Sequence, residues 1–241
     1  MTKNSFQRVP AFEVVDLGRL AYEDAFREQE LRRDEVLSWR GDDGKDEGGE
    51  RPCGVLLLVE HDPPVITVSR RASAGGHLLA SPEQLASLGV VVRETDRGGD
   101  ITYHGPGQLV AYPIVDLNRL GLNLHGYLRF LEDVVIGVCR GFGVDAGRDD
   151  AVPPATGVWT GGAKIAAMGV RVRRWVTMHG LALNVDPEMA HFDLINPCGL
   201  GRPVTSLARE LGDRTPTMDA VKTSLVDAFE SRVARLPVRA G

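Results

Sequence analysis

Three places in the sequence gather residues that could do chemistry. In Ile195-Asn-Pro-Cys198-Gly-Leu200 a cysteine sits between proline and glycine, off any helical or strand face, where a thiol is open to act as a nucleophile. Cys53 also lies in Pro-Cys-Gly, so local context does not separate the two. Cys139 stands near Val135 and Phe142 on an apolar helical face and reads as a small buried hydrophobe. The second place is Lys164, within Thr160-Gly-Gly-Ala-Lys-Ile-Ala-Ala-Met-Gly169. The chain has only four lysines (3, 45, 164 and 222) against twenty-four arginines, and lysine can serve as a proton acceptor where arginine cannot. Burial among small apolar neighbours would lower its pKa, although a cation reaching out from a strand edge would leave the same pattern. The third is Arg97-Gly98-Gly99-Asp100-Ile101-Thr102-Tyr103-His104-Gly-Pro-Gly-Gln108. Its glycines let backbone approach a ligand closely beside polar groups, and equally suit a tight turn between strands.

Other chemistries find less support. Histidines stand at 61, 77, 104, 125, 179 and 191, with no HExxH and no Cys-x-x-Cys, which argues against a metal site. No Gly-x-Ser-x-Gly elbow occurs. Three scattered cysteines do not make a disulfide framework, and reduced thiols are expected. A net charge of -5 with dispersed arginines argues against a nucleic-acid partner. No run of about 18 apolar residues and no apolar stretch at the start of the chain point to a cytoplasmic protein without a membrane partner.

The elements that must position these residues follow from pattern. With 241 residues, 43% of them hydrophobic, a sizeable core is available, and neither a repeat nor a domain linker is found. Leu17 to Trp39 reads as a charged helix, and the acidic, glycine-rich stretch 41–52 as a flexible loop. Val55–Val59 and Val65–Val68 suit two strands joined by the turn at His61-Asp-Pro-Pro64. Ser81-Pro-Glu-Gln84 opens a short helix through an N-cap hydroxyl and a proline at the first position, and strand resumes over Val90–Glu94. Leu124, Leu128, Leu131, Val135, Val138 and Phe142 form one helical face that Gly141 and Gly143 can end. Lys164 to Val185 reads as an antiparallel pair with Arg173-Arg174 midway. Thr217 caps a last helix that buries Val221, Leu225, Phe229 and Val233. The expected architecture is a single α/β (α+β) domain over 1–241, with a mainly antiparallel or mixed sheet flanked by helices.

Taken together, RGGDITYHGPGQ, GVWTGGAKIAAMGVRV, TMHGLALNV and INPCGL followed by VTSL, in that order, resemble the octanoyltransferases of lipoate biosynthesis, also called lipoate-protein ligase B. The resemblance covers about 15–230; the acidic insertion at 41–50 and the tail after Leu236 match nothing in it. It implies the biotin and lipoate protein ligase catalytic fold. It also implies an acyltransferase that needs no cofactor of its own, since the octanoyl group arrives on the phosphopantetheine of acyl carrier protein. The group passes to Cys198 as a thioester, then to a lysine of lipoyl domains of 2-oxoacid dehydrogenases or of the glycine cleavage H protein. The family's acyl-carrying cysteine matches Cys198, not Cys53, and its lysine matches Lys164. Substrate-binding stretches match Arg97 to His104, Ala167-Met168-Gly169 and Gly180-Leu181-Ala182. A monomer is expected, with a basic docking patch for the acidic carrier drawn from Arg70, Arg71, Arg171, Arg173 and Arg174. Two rivals remain at this point: an ATP-dependent lipoate ligase of the same fold, and a non-catalytic module that binds acyl carrier or lipoyl domains.

Overall fold

The run Val55–Val59 is apolar at every position because both of its faces are covered. In a computed structural model that describes residues 12–40, 52–70, 74–151, 155–196 and 202–236, this run lies inside a six-stranded sheet. The chain begins with β1 (Phe12–Leu20), α1 (Tyr22–Ser38) and β2 (Gly54–His61). It continues through β3 (Val65–Ser69), α2 (Pro82–Ser87), β4 (Val91–Thr95), β5 (Ile101–His104) and β6 (Gln108–Val115). Then come α3 (Leu117–Leu120), α4 (Leu124–Gly141), β7 (Val158–Thr160), β8 (Ala163–Arg173), β9 (Val176–Asn184), α5 (Leu207–Leu211) and α6 (Met218–Val233). The acidic stretch at 41–51, Arg71, Cys198 and the tail beyond Leu236 lie outside the described residues.

The large sheet has the order β1-β2-β6-β9-β8-β7; β1 pairs parallel with β2 and the other pairs are antiparallel. Leu56 and Leu58 of β2 join the apolar cluster that contains Leu131, Val135 and Val138 of α4 and Val221, Leu225 and Phe229 of α6. Val55, Leu57 and Val59 join the opposite cluster with Ala25 and Val36 of α1. Burial on both sides makes an apolar run, where one solvated face would make an alternation. A second sheet, β4-β3-β5, pairs β3 parallel with β4 and antiparallel with β5, over its own cluster of Ile66, Leu85, Ile101, Tyr103 and Leu194. The fold is therefore a mixed α/β arrangement with helices flanking the sheets.

Most expected elements are present. Ser81 caps α2 by accepting from the Gln84 N–H, Thr217 caps α6 by accepting from the Ala220 N–H, and α4 ends at Gly141. The long pair is β8 with β9, turned at Arg174-Trp175, both at positive φ. One expectation needs correction. Leu17 to Leu20 is strand, not helix: β1 is held by parallel pairing with β2, and α1 starts only at Tyr22. Ala21 at its N-cap offers no side-chain cap, so no local signal marks that start. The turn after His61 joins two strands as expected, and it carries the chain from the large sheet to the small one.

Candidate active site

The floor of the site is made where β8 and β9 run side by side. Ala167 faces Ala182 and Gly169 faces Gly180 in register, so four neighbouring positions on one sheet face carry no side chain beyond a methyl. Nothing larger than glycine fits at 180, where a Cβ would stand 2.2 Å from the Ala111 carbonyl oxygen. Above this floor, the turn after β4 is drawn down by the Gly98 N–H donating to the Val170 carbonyl at 2.9 Å. Between them lies a cavity of about 540 Å³, walled by Arg97 to Thr102, Ala167 to Val170 and Ala182, with Lys164, Thr156 and Val204 also contributing. That volume suits a small-molecule site, typically about 300–1,000 Å³. A smaller chamber of about 40 Å³ shares Arg97, Thr102 and Ala167 to Gly169, and reaches Gly180, Leu181, His104, Tyr22, Tyr112 and His179.

The cavity wall is fixed by polar ties more than by packing. Arg97 donates to the Thr67 carbonyl at 3.0 Å, to the Thr67 hydroxyl at 2.9 Å and to the Asp100 carbonyl at 3.3 Å, joining the turn to β3. Asp100 pairs with His77 through one carboxylate oxygen; the other is buried with no hydrogen-bond partner among the described residues. Below, His104 Nδ1 meets Gln108 Oε1 at 2.7 Å, Gln108 donates to Asn184 Oδ1 at 2.9 Å, and Asn184 donates to the Thr205 carbonyl at 2.9 Å. His61 Nε2 stands 2.7 Å from the Tyr112 hydroxyl. Burial pushes the His61 imidazole down to about 4, and burial together with neighbouring His61 holds His104 well below the ordinary histidine value. His179 is lowered by burial, partly countered by Asp96. These imidazoles are neutral near pH 7.

Lys164 is half-buried at the cavity edge, its Nζ 4.7 Å from the Trp159 ring centroid. Its N–H donates to the Pro203 carbonyl at 2.9 Å and its carbonyl accepts from the Thr205 N–H at 3.0 Å, which lays 203–205 alongside β8. On the other flank of the expected cysteine, the Asn196 N–H donates to the His77 carbonyl at 2.8 Å and Ile195 bridges Leu78. Cys53 packs against the large apolar cluster, and Cys139 is fully buried on α4 with its thiol pushed up to about 12.

Of the expected binding residues, Tyr103 is turned away, into the small sheet's core, where its hydroxyl meets His191 Nδ1 at 2.9 Å. On a strand its neighbours Thr102 and His104 face the opposite side, toward the cavities. Gln108, which ends the glycine-rich run, also lines the cavity, as do Leu124, Leu128, Phe192 and Asn184, which escaped the sequence reading. Leu124 and Leu128 were legible as the first members of the α4 stripe, but periodicity alone assigns such residues to the core. In the expected basic patch, Arg70, Arg173 and Arg174 are exposed, whereas Arg171 turns inward to pair with Asp96. Among the described residues no group of three His, Cys, Asp or Glu side chains could hold a metal ion, and no helix is long and apolar enough to cross a membrane.

The site thus combines a small-residue floor on a mixed sheet, a largely apolar cavity and Lys164 at the cavity edge. Residues 39–230 match the lipoyl protein ligase A/B catalytic domain, and the chain belongs to that family. More particularly, it is 47% identical over 215 residues to an octanoyltransferase of Geobacter metallireducens, covering 89% of this chain and 90% of that one. An octanoyltransferase of Gloeobacter violaceus is 52% identical over 160 residues, 66% of this chain and 67% of the relative. These relatives make the chain an acyltransferase. Solved structures share the fold: the bipartite lipoate protein ligase of Thermoplasma acidophilum has a TM-score of 0.68 at 14% identity, covering 96% of this chain and 87% of its own. A lipoate-protein ligase A bound with ATP has a TM-score of 0.67 at 16% identity, covering 96% and 88%.

Proposed function

We propose that the enzyme moves an octanoyl group in two steps, from the phosphopantetheine thioester of acyl carrier protein to Cys198, and from Cys198 to the ε-amine of a lipoyl-domain lysine. The observation that carries this reading is the placement of Lys164: it stands at the edge of an apolar cavity, with residues 203–205 hydrogen-bonded along it, while Asn196, two positions before Cys198 in sequence, is tied to His77. In the first step charged Lys164 steadies the Cys198 thiolate as it attacks the thioester carbonyl, and the carrier thiolate leaves with the proton given up by Lys164, which becomes neutral. In the second, the acceptor amine attacks the acyl-cysteine, neutral Lys164 takes the amine proton, and the Cys198 thiolate departs to leave an amide. No cofactor is required, because a thioester is already activated toward both a thiol and an amine.

The acyl chain lies over Ala167, Gly169, Gly180 and Ala182, beneath the Arg97–Thr102 turn. Exposed Arg70, Arg173 and Arg174 supply positive charge for an acidic carrier. The acceptors in this reading are lipoyl domains of 2-oxoacid dehydrogenases and the glycine cleavage H protein, met by a monomer in the cytoplasm.

The decisive experiment is intact mass after mixing the enzyme with octanoyl-loaded carrier, for wild type, Cys198→Ser, Cys53→Ser and Lys164→Ala. An octanoyl adduct lost in Cys198→Ser and kept in Cys53→Ser is the expected result. Absence of an adduct from wild type, with the carrier shown to be loaded, would remove the covalent route and favour an ATP-dependent ligase. Loading that ignores ionic strength would remove the arginine docking patch.

A further inference from the structure

Asp149 lies outside every segment so far given a role, yet its carboxylate is only 1% exposed and fully engaged. Oδ1 accepts from the Ala151 N–H at 3.2 Å; Oδ2 accepts from the Ala155 N–H at 2.7 Å and from Arg202 Nη1 at 2.7 Å. The Arg202 guanidinium carbon sits 3.6 Å from the Trp159 ring centroid, on the same indole that carries Lys164 Nζ at 4.7 Å. Trp159 is itself pinned, exchanging two 2.8 Å backbone hydrogen bonds with Gly147.

On the other side of the same turn, buried Glu132, held by Arg129 and Arg148, accepts from the Gly157 N–H at 3.1 Å. Gly157 has φ +141°, and a Cβ there would stand 2.8 Å from the Ala166 carbonyl oxygen and 3.2 Å from Lys164 Cε. The turn at 155–157, which lines the cavity through Ala155 and Thr156, is thus clamped by one acid at each end and closes on the lysine stem.

We infer that Asp149 is a positioning residue for acyl transfer: through Arg202 and Trp159 it holds Lys164 in place and balances the second cation that shares its indole. This rests on Lys164 being the proton carrier proposed above. Among the described residues, the charged groups gathered at this place are Arg202, which meets the same indole, with Asp149 paired to it, and Glu132 with Arg129 and Arg148 at Gly157. Removing the Asp149 charge leaves Arg202 uncompensated, which disfavours the ammonium form of Lys164. Removing the Arg202 charge leaves Asp149 uncompensated and favours it. The two changes therefore act in opposite directions on the same proton.

The test is single-turnover transfer of octanoyl from preformed acyl-enzyme to a lipoyl domain, followed against pH in the full-length enzyme. The rate rises as Lys164 loses its proton. In Asp149→Asn that limb moves to lower pH by about one unit, and in Arg202→Met it moves to higher pH. The maximal rate in Asp149→Asn falls about tenfold through misplacement of the lysine, with KM for the lipoyl domain little changed. Arg202→Met keeps the two backbone bonds to Asp149, so it supplies the answer if Asp149→Asn does not fold. Limbs that stay in place, or that move the same way in both variants while only Tm falls, would overturn the assignment. A Lys164→Ala enzyme with an unaltered transfer rate would instead remove the reading of Lys164 on which the inference rests.

Discussion

The apolar layer beneath the large sheet and the polar shell around the cavity are assembled by different means. In the first, Leu131, Val135, Val138, Val221, Leu225 and Phe229 interlock, with Phe229 set edge-on to Phe12 at 5.4 Å between ring centroids. These contacts are non-directional and numerous, and any well-shaped apolar side chain serves. In the second, single side chains are bonded to particular backbone atoms: Arg97 to the Thr67 and Asp100 carbonyls, Asp149 to the Ala151 and Ala155 amides, Glu132 to the Gly157 amide. The lesson is a division of labour. Packing supplies the stability of the frame, and directional bonds set the positions of a few glycine-rich turns whose own side chains are too small to pack.

Changes on either side of this divide should separate stability from activity. The largest effect belongs to the packed layer: Phe229→Ala should lower unfolding free energy by about 3–5 kcal/mol while leaving kcat/KM of the folded enzyme within about twofold, read by chemical denaturation alongside the transfer assay. A loss of activity larger than the loss of folded protein would break the comparison. An intermediate effect comes from buried histidines of the polar shell. His61 titrates near 4 in the folded chain against 6.5 when unfolded. The unfolded state therefore binds more protons between those values, so stability is full above about pH 6.5 and falls as pH drops toward 4, by about 3 kcal/mol for this group. His104 and His179, also lowered, act in the same direction. A Tm that is flat across that window would contradict neutral burial. The smallest stability change is expected for Arg97→Met, about 1–2 kcal/mol from lost charged hydrogen bonds, yet with KM for the acyl donor raised about tenfold. Equal losses of Tm in Arg97→Met and Phe229→Ala, with KM unmoved, would show that the turn is not positioned by Arg97.

Much of the frame was legible because its residues repeat at the period of their own element. The stripe on α4, the Ser81 and Thr217 caps and the β8/β9 pair each depend on neighbours within one or two turns or along one strand. The site was legible in part for another reason: a lysine among small residues and a glycine-rich run are out of keeping with their surroundings, and the run of motifs resembles a family. What escaped shares a feature. β1 is a strand because β2 lies beside it, and Leu124 and Leu128 border a cavity because the Arg97–Thr102 turn is folded over the sheet toward them.

The sequence by itself determined which segments are helix or strand wherever periodicity and caps are strong, and which unusual residues could carry chemistry. Only the tertiary structure decided which of them meet. Arg202 and Lys164 share one indole, and Asp149 reaches across 53 positions to Arg202, through contacts that no local pattern encodes. The physical reason is that periodicity records which face of an element is buried but not what lies against it; that follows from how strands of distant origin pair and how the turns between them are tied down.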